Sequence, residues 1–255
     1  MTPAVSVVMA ARDAAATIGE AVESVLAQTL GEWELLVVDD GSSDATVDVV
    51  RSFGDDRIRV LSPGRLGVLA QLRNVAIGEA RGEWIALLDA DDAWLPEKLA
   101  RQLAAAGEAG LVHTDADRLI DGRRVHVPVE RPPGPLVEAL VRENFVYSSS
   151  VLVRRALLSE HGSFDPDPAL FGSPDYELWL RLAPHTEFAY VDEVLLLYRV
   201  HGGQMSADVV RMTDGALAAL RKSAPRGPAL DARLRQLRRQ RRRARLRAFV
   251  RPPAK

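Results

Sequence analysis

Gly82-Glu-Trp-Ile-Ala-Leu-Leu-Asp-Ala-Asp-Asp92 carries an unbroken apolar run that stops on three carboxylates. Such a run, residues 84–88 here, suits a strand of a parallel sheet covered on both faces. In open α/β sheets ligands bind beyond the carboxyl ends of the strands, so acids placed there are candidates for a site. A second strand ends the same way, where Leu35-Leu-Val-Val38 runs into Asp39-Asp40. Outward from these, Val5-Ser-Val-Val-Met-Ala10 reads as the first strand, and Ile18, Val22, Val25 and Leu26 follow helical spacing within residues 15–28. Asp44 is expected to cap a helix running to about residue 53. A third strand falls at 58–61, and a loop at 64–67 leads into a helix through residue 80. Strands alternating with helices over the first 115 residues predict a doubly wound α/β domain, with a mostly parallel central sheet flanked by helices.

Further along, the rhythm loosens. A hairpin is expected over 119–127 on the Asp121-Gly122 turn, followed by a proline-rich connection at 128–135. Strands are expected at 151–153 and 194–200, a helix at 176–182, and a helix break at 224–228. The chain therefore divides into a first half whose strands end on acids (1–115), a second half of the same domain that builds the other side of a cleft (116–206) and a C-terminal helical, arginine-rich tail (207–255).

Composition narrows the chemistry. The 255 residues include no cysteine, which excludes disulfides and thiolate metal sites and leaves carboxylates, histidines and water to hold any metal. A hard cation, Mg or Mn, is favoured. The first ten residues have no basic segment typical of a signal peptide, and no apolar run approaches the roughly 20 residues needed to span a bilayer. A cytoplasmic location is expected. The formal net charge of −2 hides an asymmetry. From residue 221 onward there are 14 Lys or Arg against one acid, a net of +13, which leaves 19 basic and 34 acidic residues, or −15, in residues 1–220.

On an extended backbone, alternating carboxylates such as Asp89 and Asp91 point to the same side. One can then reach a divalent ion while the other accepts from a sugar hydroxyl. Mg and Mn bind through one or two carboxylates together with substrate phosphate oxygens, so a nucleoside diphosphate would complete the coordination. Aspartates also serve commonly in turns and helix caps, which is the competing account of either cluster alone. Two clusters at two strand ends are harder to explain that way, because neighbouring carboxylates repel without a cation.

Several stretches belong together: Val5-Ser-Val-Val-Met-Ala-Ala-Arg-Asp13, Val37-Val-Asp-Asp-Gly-Ser-Ser-Asp44, Arg73-Asn74, residues 82–92 and Pro96, then Asn144-Phe-Val-Tyr-Ser-Ser-Ser-Val-Leu-Val-Arg154, Asp175-Tyr-Glu-Leu-Trp-Leu-Arg-Leu182 and Tyr198-Arg-Val-His201. Together they resemble the inverting family 2 glycosyltransferases with the GT-A fold. Their order and spacing cover about residues 4–206, and the acidic end of the fourth strand matches the family's D-x-D motif. The resemblance implies transfer of a sugar from a UDP-, dTDP- or GDP-linked donor. It implies Asp39, Arg73 and Asp89 at the nucleotide, with Asp89 at the ribose, and Asp91 as metal ligand. Asp40 and Asp92 stand behind these or near the diphosphate. Ala10, Arg12 and Asp13 fall in the nucleotide loop, where the family usually shows a proline, an aromatic and an asparagine. His201 implies a second metal or diphosphate contact, and Arg199 a diphosphate contact. The catalytic base falls on Asp175, although the family's preceding Glu is Pro174 here. Asp175 could equally cap its helix, and the two roles are compatible. Trp84 and Trp179 are expected to fill core, and His113 and His185 show no metal-ligand spacing.

The competing functions are a catalytically silent nucleotide-sugar binding module and a nucleotidyltransferase. The latter usually opens on a glycine-rich basic loop that residues 10–18 lack. A dehydrogenase would need G-x-G-x-x-G after the first strand. The acceptor is open: polysaccharide, lipid carrier, peptide or small natural product. Leu230, Leu234 and Leu237 give the tail one narrow apolar edge among arginines. It is read as solvated or self-docked on the acidic body, as a peripheral contact with the inner face of a membrane, or, ranked below these, as a nucleic-acid contact.

Overall fold

The β-branched and apolar residues at the N-terminus form β1 (Val5–Ala11), in which Val5, Val7, Val8 and Met9 are buried, as the strand's lack of polar alternation requires. The molecule is described from a computed structural model that covers residues 2–128 and 134–250, with side chains through residue 246. Residues 129–133 of the proline-rich connection and 251–255 of the tail lie outside the described residues. After β1 come α1 (Ile18–Leu26), β2 (Trp33–Asp39), α2 (Thr46–Ser52), β3 (Ile58–Leu61), α3 (Leu69–Glu79) and β4 (Trp84–Leu87). β1 pairs in parallel with β2 on one side and β4 on the other, and β3 extends the sheet beyond β2. All three parallel registers bring strand C-termini to one edge, and that edge positions the site.

Gly82 makes the turn into β4 feasible. A Cβ there would lie 2.6 Å from the Ser6 backbone nitrogen and 2.8 Å from the Val5 carbonyl carbon, so only glycine lets this turn rest on β1. Its N–H donates to Ser6 Oγ at 2.8 Å.

The remaining elements are β5 (Ala93–Trp94), α4 (Lys98–Ala106), β6 (Leu111–Ile120), β7 (Arg123–His126), α5 (Leu136–Arg142), β8 (Leu152–Arg154), α6 (Arg155–His161), α7 (Pro174–Leu182), β9 (Phe188–Val200), α8 (Val209–Ser223) and α9 (Pro228–Val250). The strand order is β3-β2-β1-β4-β8-β6-β9-β5, with β7 on β6. The sheet is mixed. Parallel pairing holds through β3-β2-β1-β4 and again between β6 and β9, whereas β8 runs against both β4 and β6, and β5 against β9. The β6–β7 hairpin turns on Asp121 and Gly122, at φ of 48° and 75°, the two positive angles a tight two-residue turn demands.

The chain forms two compact units, one of residues 1–129, 146–164 and 186–201, the other of 130–145, 165–185 and 202–255. All nine strands among the described residues belong to the first. In the second, Tyr176 and Trp179 of α7 are buried, and Tyr176 donates to the Leu140 carbonyl at 2.6 Å. Glu177, also buried, accepts two bonds from Arg181 and one from Ser223 of α8. The helix break at 224–228 separates α8 from α9, as the sequence suggests. Trp84 and Trp179 are both buried, in keeping with their core-filling role.

Candidate functional site

At the end of β4, Asp89 to Asp92 do not continue as a strand. The Asp92 N–H donates to the Asp89 carbonyl at 3.1 Å, closing a turn in which the Asp89 and Asp91 carboxylates take different partners. This corrects the expectation of an extended backbone at Asp89 to Asp91; a chain stopped by short polar residues turns more readily than it extends. Asp89 accepts from Arg73 Nη2 at 2.6 Å, and Asp91 Oδ2 lies 3.0 Å from His201 Nε2. Both carboxylates keep about a third of their side-chain surface exposed (34%).

Asp92 is different. It is 2% exposed and accepts from Ser149 Oγ at 2.6 Å and the Arg199 N–H at 2.9 Å. Burial first, then the charges of Asp89 and Asp91, push its carboxyl well above the usual carboxylate range, against the pull of those two bonds. Ser149 is the hinge of this arrangement, since its Oγ also accepts the Asp89 N–H and its carbonyl accepts from Trp94 Nε1. Behind it, Gln102 of α4 donates to the Ser150 and Val112 carbonyls, and Lys98 is fully buried with its ammonium against the Trp94 ring and Gln102. Burial pushes the Lys98 ammonium well below its ordinary value.

Arg199 holds the turn from the other side. Its Nε donates to the Asp91 carbonyl at 2.8 Å, and Nη2 bonds to Glu20 of α1. The guanidinium sits within the protein framework. Arg73, 3% exposed, lies under the Phe164 ring, and Asn74 makes a two-bond pairing with the Phe164 backbone.

At the end of β2 both acids tie down nearby loops. Asp39 accepts from the Ser42 N–H and Oγ, and Asp40 from the Leu66 and Gly67 N–H groups at 2.6 and 3.0 Å, tying down the loop before α3. The loop after β1 is tied to the loop after β2. Asp13, at φ 46°, accepts from the Ser43 N–H and Oγ, and its own N–H donates to Ser42 Oγ. Asp44 accepts from the Thr46 N–H at the start of α2 and from the Ala15 N–H, but it stands one residue before the N-cap, Ala45, which makes no side-chain cap bond, so the expected cap at Asp44 is corrected. Hydrogen bonds, Ser43 foremost for Asp13 and Thr46 for Asp44, hold both carboxyls below the usual range. Ala10 is half-buried at the β1 end, and Arg12 is exposed beside Asp13 at 3.6 Å.

The structure thus brings Arg73, Asp89, Asp91, Asp92, Arg199 and His201 together through direct bonds. Asp175 belongs to the second unit, in the first turn of α7, half-buried, with Oδ1 accepting its neighbour Tyr176's N–H at 2.8 Å. Ser149, Glu20 and Phe164 carried no assigned role in the sequence. Ser149 is hidden in the run Ser148-Ser-Ser150, and the other two become partners only through contacts distant in the chain.

Among the described residues no group of three or more His, Asp or Glu converges to hold a metal ion. Asp91 with His201 offers one carboxylate and one imidazole, a hard and borderline set that fits Mg or Mn when substrate phosphate supplies further oxygens. Among the described residues no helix is long and apolar enough to cross a membrane.

Residues 6–148 match the family described as glycosyl transferase family 2. The succinoglycan biosynthesis protein ExoO of Rhizobium meliloti is 36% identical over 179 residues, 64% of this chain and 51% of ExoO, so the chain spans about half the length of that relative. The Escherichia coli UDP-Glc:alpha-D-GlcNAc-diphosphoundecaprenol beta-1,3-glucosyltransferase WfaP is 30% identical over 206 residues, 80% of each chain. The mannosyltransferase PcManGT from Pyrobaculum calidifontis, solved with GDP-Man and Mn2+, shares the fold, with a TM-score of 0.70 at 18% identity over 100% of this chain and 77% of its own.

Proposed function

The chain belongs to glycosyltransferase family 2, and from that premise we propose that it moves a hexosyl or related sugar from a nucleoside-diphosphate donor to an acceptor hydroxyl, with inversion at the anomeric carbon. The observation that carries this reading is the β4-end turn, where Asp91 pairs with His201 and Asp89 with the buried Arg73 while both carboxylates stay partly exposed. In this reading Asp89 accepts from the donor ribose, Asp39 from the base, and Ala10, Arg12 and Asp13 line the nucleotide loop. Asp91, with His201, would hold a Mg or Mn ion. When bound, that ion neutralises charge on the departing diphosphate; the Mn2+ in PcManGT supports it.

Asp175 takes the acceptor hydroxyl's proton as that oxygen bonds to the anomeric carbon. The bond from this carbon to the diphosphate oxygen breaks, releasing the nucleoside diphosphate. Such general-base assistance is typically worth about 10²- to 10⁴-fold. The names of ExoO and WfaP support an acceptor in polysaccharide assembly, including one carried on a lipid diphosphate.

Nucleoside diphosphate release, measured across a panel of nucleotide sugars with acceptor, tests the base. Asp175→Asn is expected to lower turnover by about two orders of magnitude or more. Unchanged turnover would instead favour a different base, and no release by the parent with any donor would favour a silent binding module.

A further inference from the structure

The narrow leucine edge of α9 is used up inside the second unit. Leu230 and Leu237 are buried, and Arg241 forms an ion pair with Asp214 of α8. What faces outward is a different surface. Arg235, Arg238, Arg239, Arg242, Arg243 and Arg245 are all exposed, and among the described residues Arg241 is the α9 arginine that forms an ion pair. The ion pair with Asp214 therefore does not neutralise this face.

Two openings line the same helix. One, of about 910 Å³, lies between the start of α8 and α9 and includes Arg235, Arg239, Arg243 and Val209. The other, about 460 Å³, is lined by Arg238, Arg242, Arg245 and Leu246 among others. Val209 (44% exposed) and Leu246 (58%) are among the few large apolar side chains left in solvent. Guanidinium forks match phosphate oxygens in pairs, and aliphatic side chains beside them suit the boundary between headgroups and acyl chains. Stacking of nucleic-acid bases would call for aromatic side chains, and residues 228–246 contain none.

We propose that this exposed face of α9, with Val209 of α8, is a docking surface for a membrane rich in anionic phospholipid. Its phosphates sit in the arginine-lined openings, and Leu246 and Val209 enter the interface. The proposal stands on the surface alone and holds whichever sugar the first unit takes.

Vesicle flotation of the full-length protein tests it, using phosphatidylcholine alone or mixed with phosphatidylglycerol. Binding is expected only to the anionic vesicles and is weakened by high salt. Replacing Arg235, Arg239, Arg242 and Arg243 together by Gln should weaken partition about fivefold per arginine, on the order of several hundred-fold in all. Leu246→Ala with Val209→Ala should further reduce the part of the binding that survives high salt. Circular dichroism melting and nucleotide-sugar stabilisation, measured on the same variants, should stay as in the parent, which separates this claim from the donor reading. Equal flotation of the four-arginine variant, equal binding to neutral vesicles, or displacement from anionic vesicles by a single-stranded oligonucleotide would each overturn it.

Discussion

Two strands of the first unit end on aspartates, and the two ends do different work. At the β2 end Asp39 and Asp40 are both nearly closed to solvent, and their oxygens go to Ser42, Leu66 and Gly67. At the β4 end only Asp92 is spent in this way, on Ser149 and the Arg199 backbone, while Asp89 and Asp91 meet Arg73 and His201 with a third of their surface open. The acids therefore sort by what each oxygen already accepts: Asp40, filled by backbone N–H groups, shapes a loop, whereas Asp89 and Asp91, paired with side chains, and Asp39, bonded in part to the Ser42 hydroxyl, are the ones whose partners a ligand could replace in the proposed reading.

The sharpest way to break this contrast is Asp91→Asn. With its carboxylate on His201 and, among the described residues, on no backbone group, the substitution is expected to leave the melting temperature nearly unchanged and to lower metal-dependent turnover by about 10²- to 10³-fold. A large loss of stability with turnover preserved would put Asp91 in the structural class. Asp40→Ala and Ser149→Ala should behave oppositely. Each removes partners from polar groups, the Leu66 and Gly67 N–H groups in one case, the Asp89 N–H and one oxygen of the buried Asp92 carboxylate in the other, and should cost about 1–3 kcal/mol in urea unfolding. Losses well under that would mean that the loops hold themselves.

The smallest effect concerns the exposed tie at Asp44. Its folded-state carboxyl lies below 3.8, so its contribution is present above that value and is lost as pH falls through the lower folded one. The Ala15 amide should report a titration midpoint below 3.8 by NMR, and one at or above it would contradict the assigned bonds.

How much of this was legible in sequence follows from the same sorting. β1, β2 and β4 are largely apolar runs, interrupted by Ser6 and Glu34, that end in Asp or turn residues, so both the α/β class and the acidic edge could be read directly. β6 hid itself, because Leu111-Val-His-Thr-Asp-Ala-Asp buries Thr114 and Asp115 beside its apolar residues. α4 is disguised in the same way, since Lys98 and Gln102, which look solvent-facing, point into the core. The mixed order of the sheet could not be read, because nothing local tells β8 which way to run between β4 and β6. Within the site, the residue types at Asp89, Asp91 and Asp92 were visible, but their division of labour depends on Ser149, Arg73 and His201, which come from distant parts of the chain.

The central claim, a nucleotide-sugar site completed by a divalent ion at Asp91, is tested most directly by thermal melting of the full-length protein with UDP-, dTDP- and GDP-sugars, each with Mg, Mn or chelator. At least one donor is expected to raise the melting temperature with the metal and to lose that effect with chelator, because a ligand that binds only the folded state stabilises it by mass action. If no donor stabilises the protein in a metal-dependent way, the claim is contradicted.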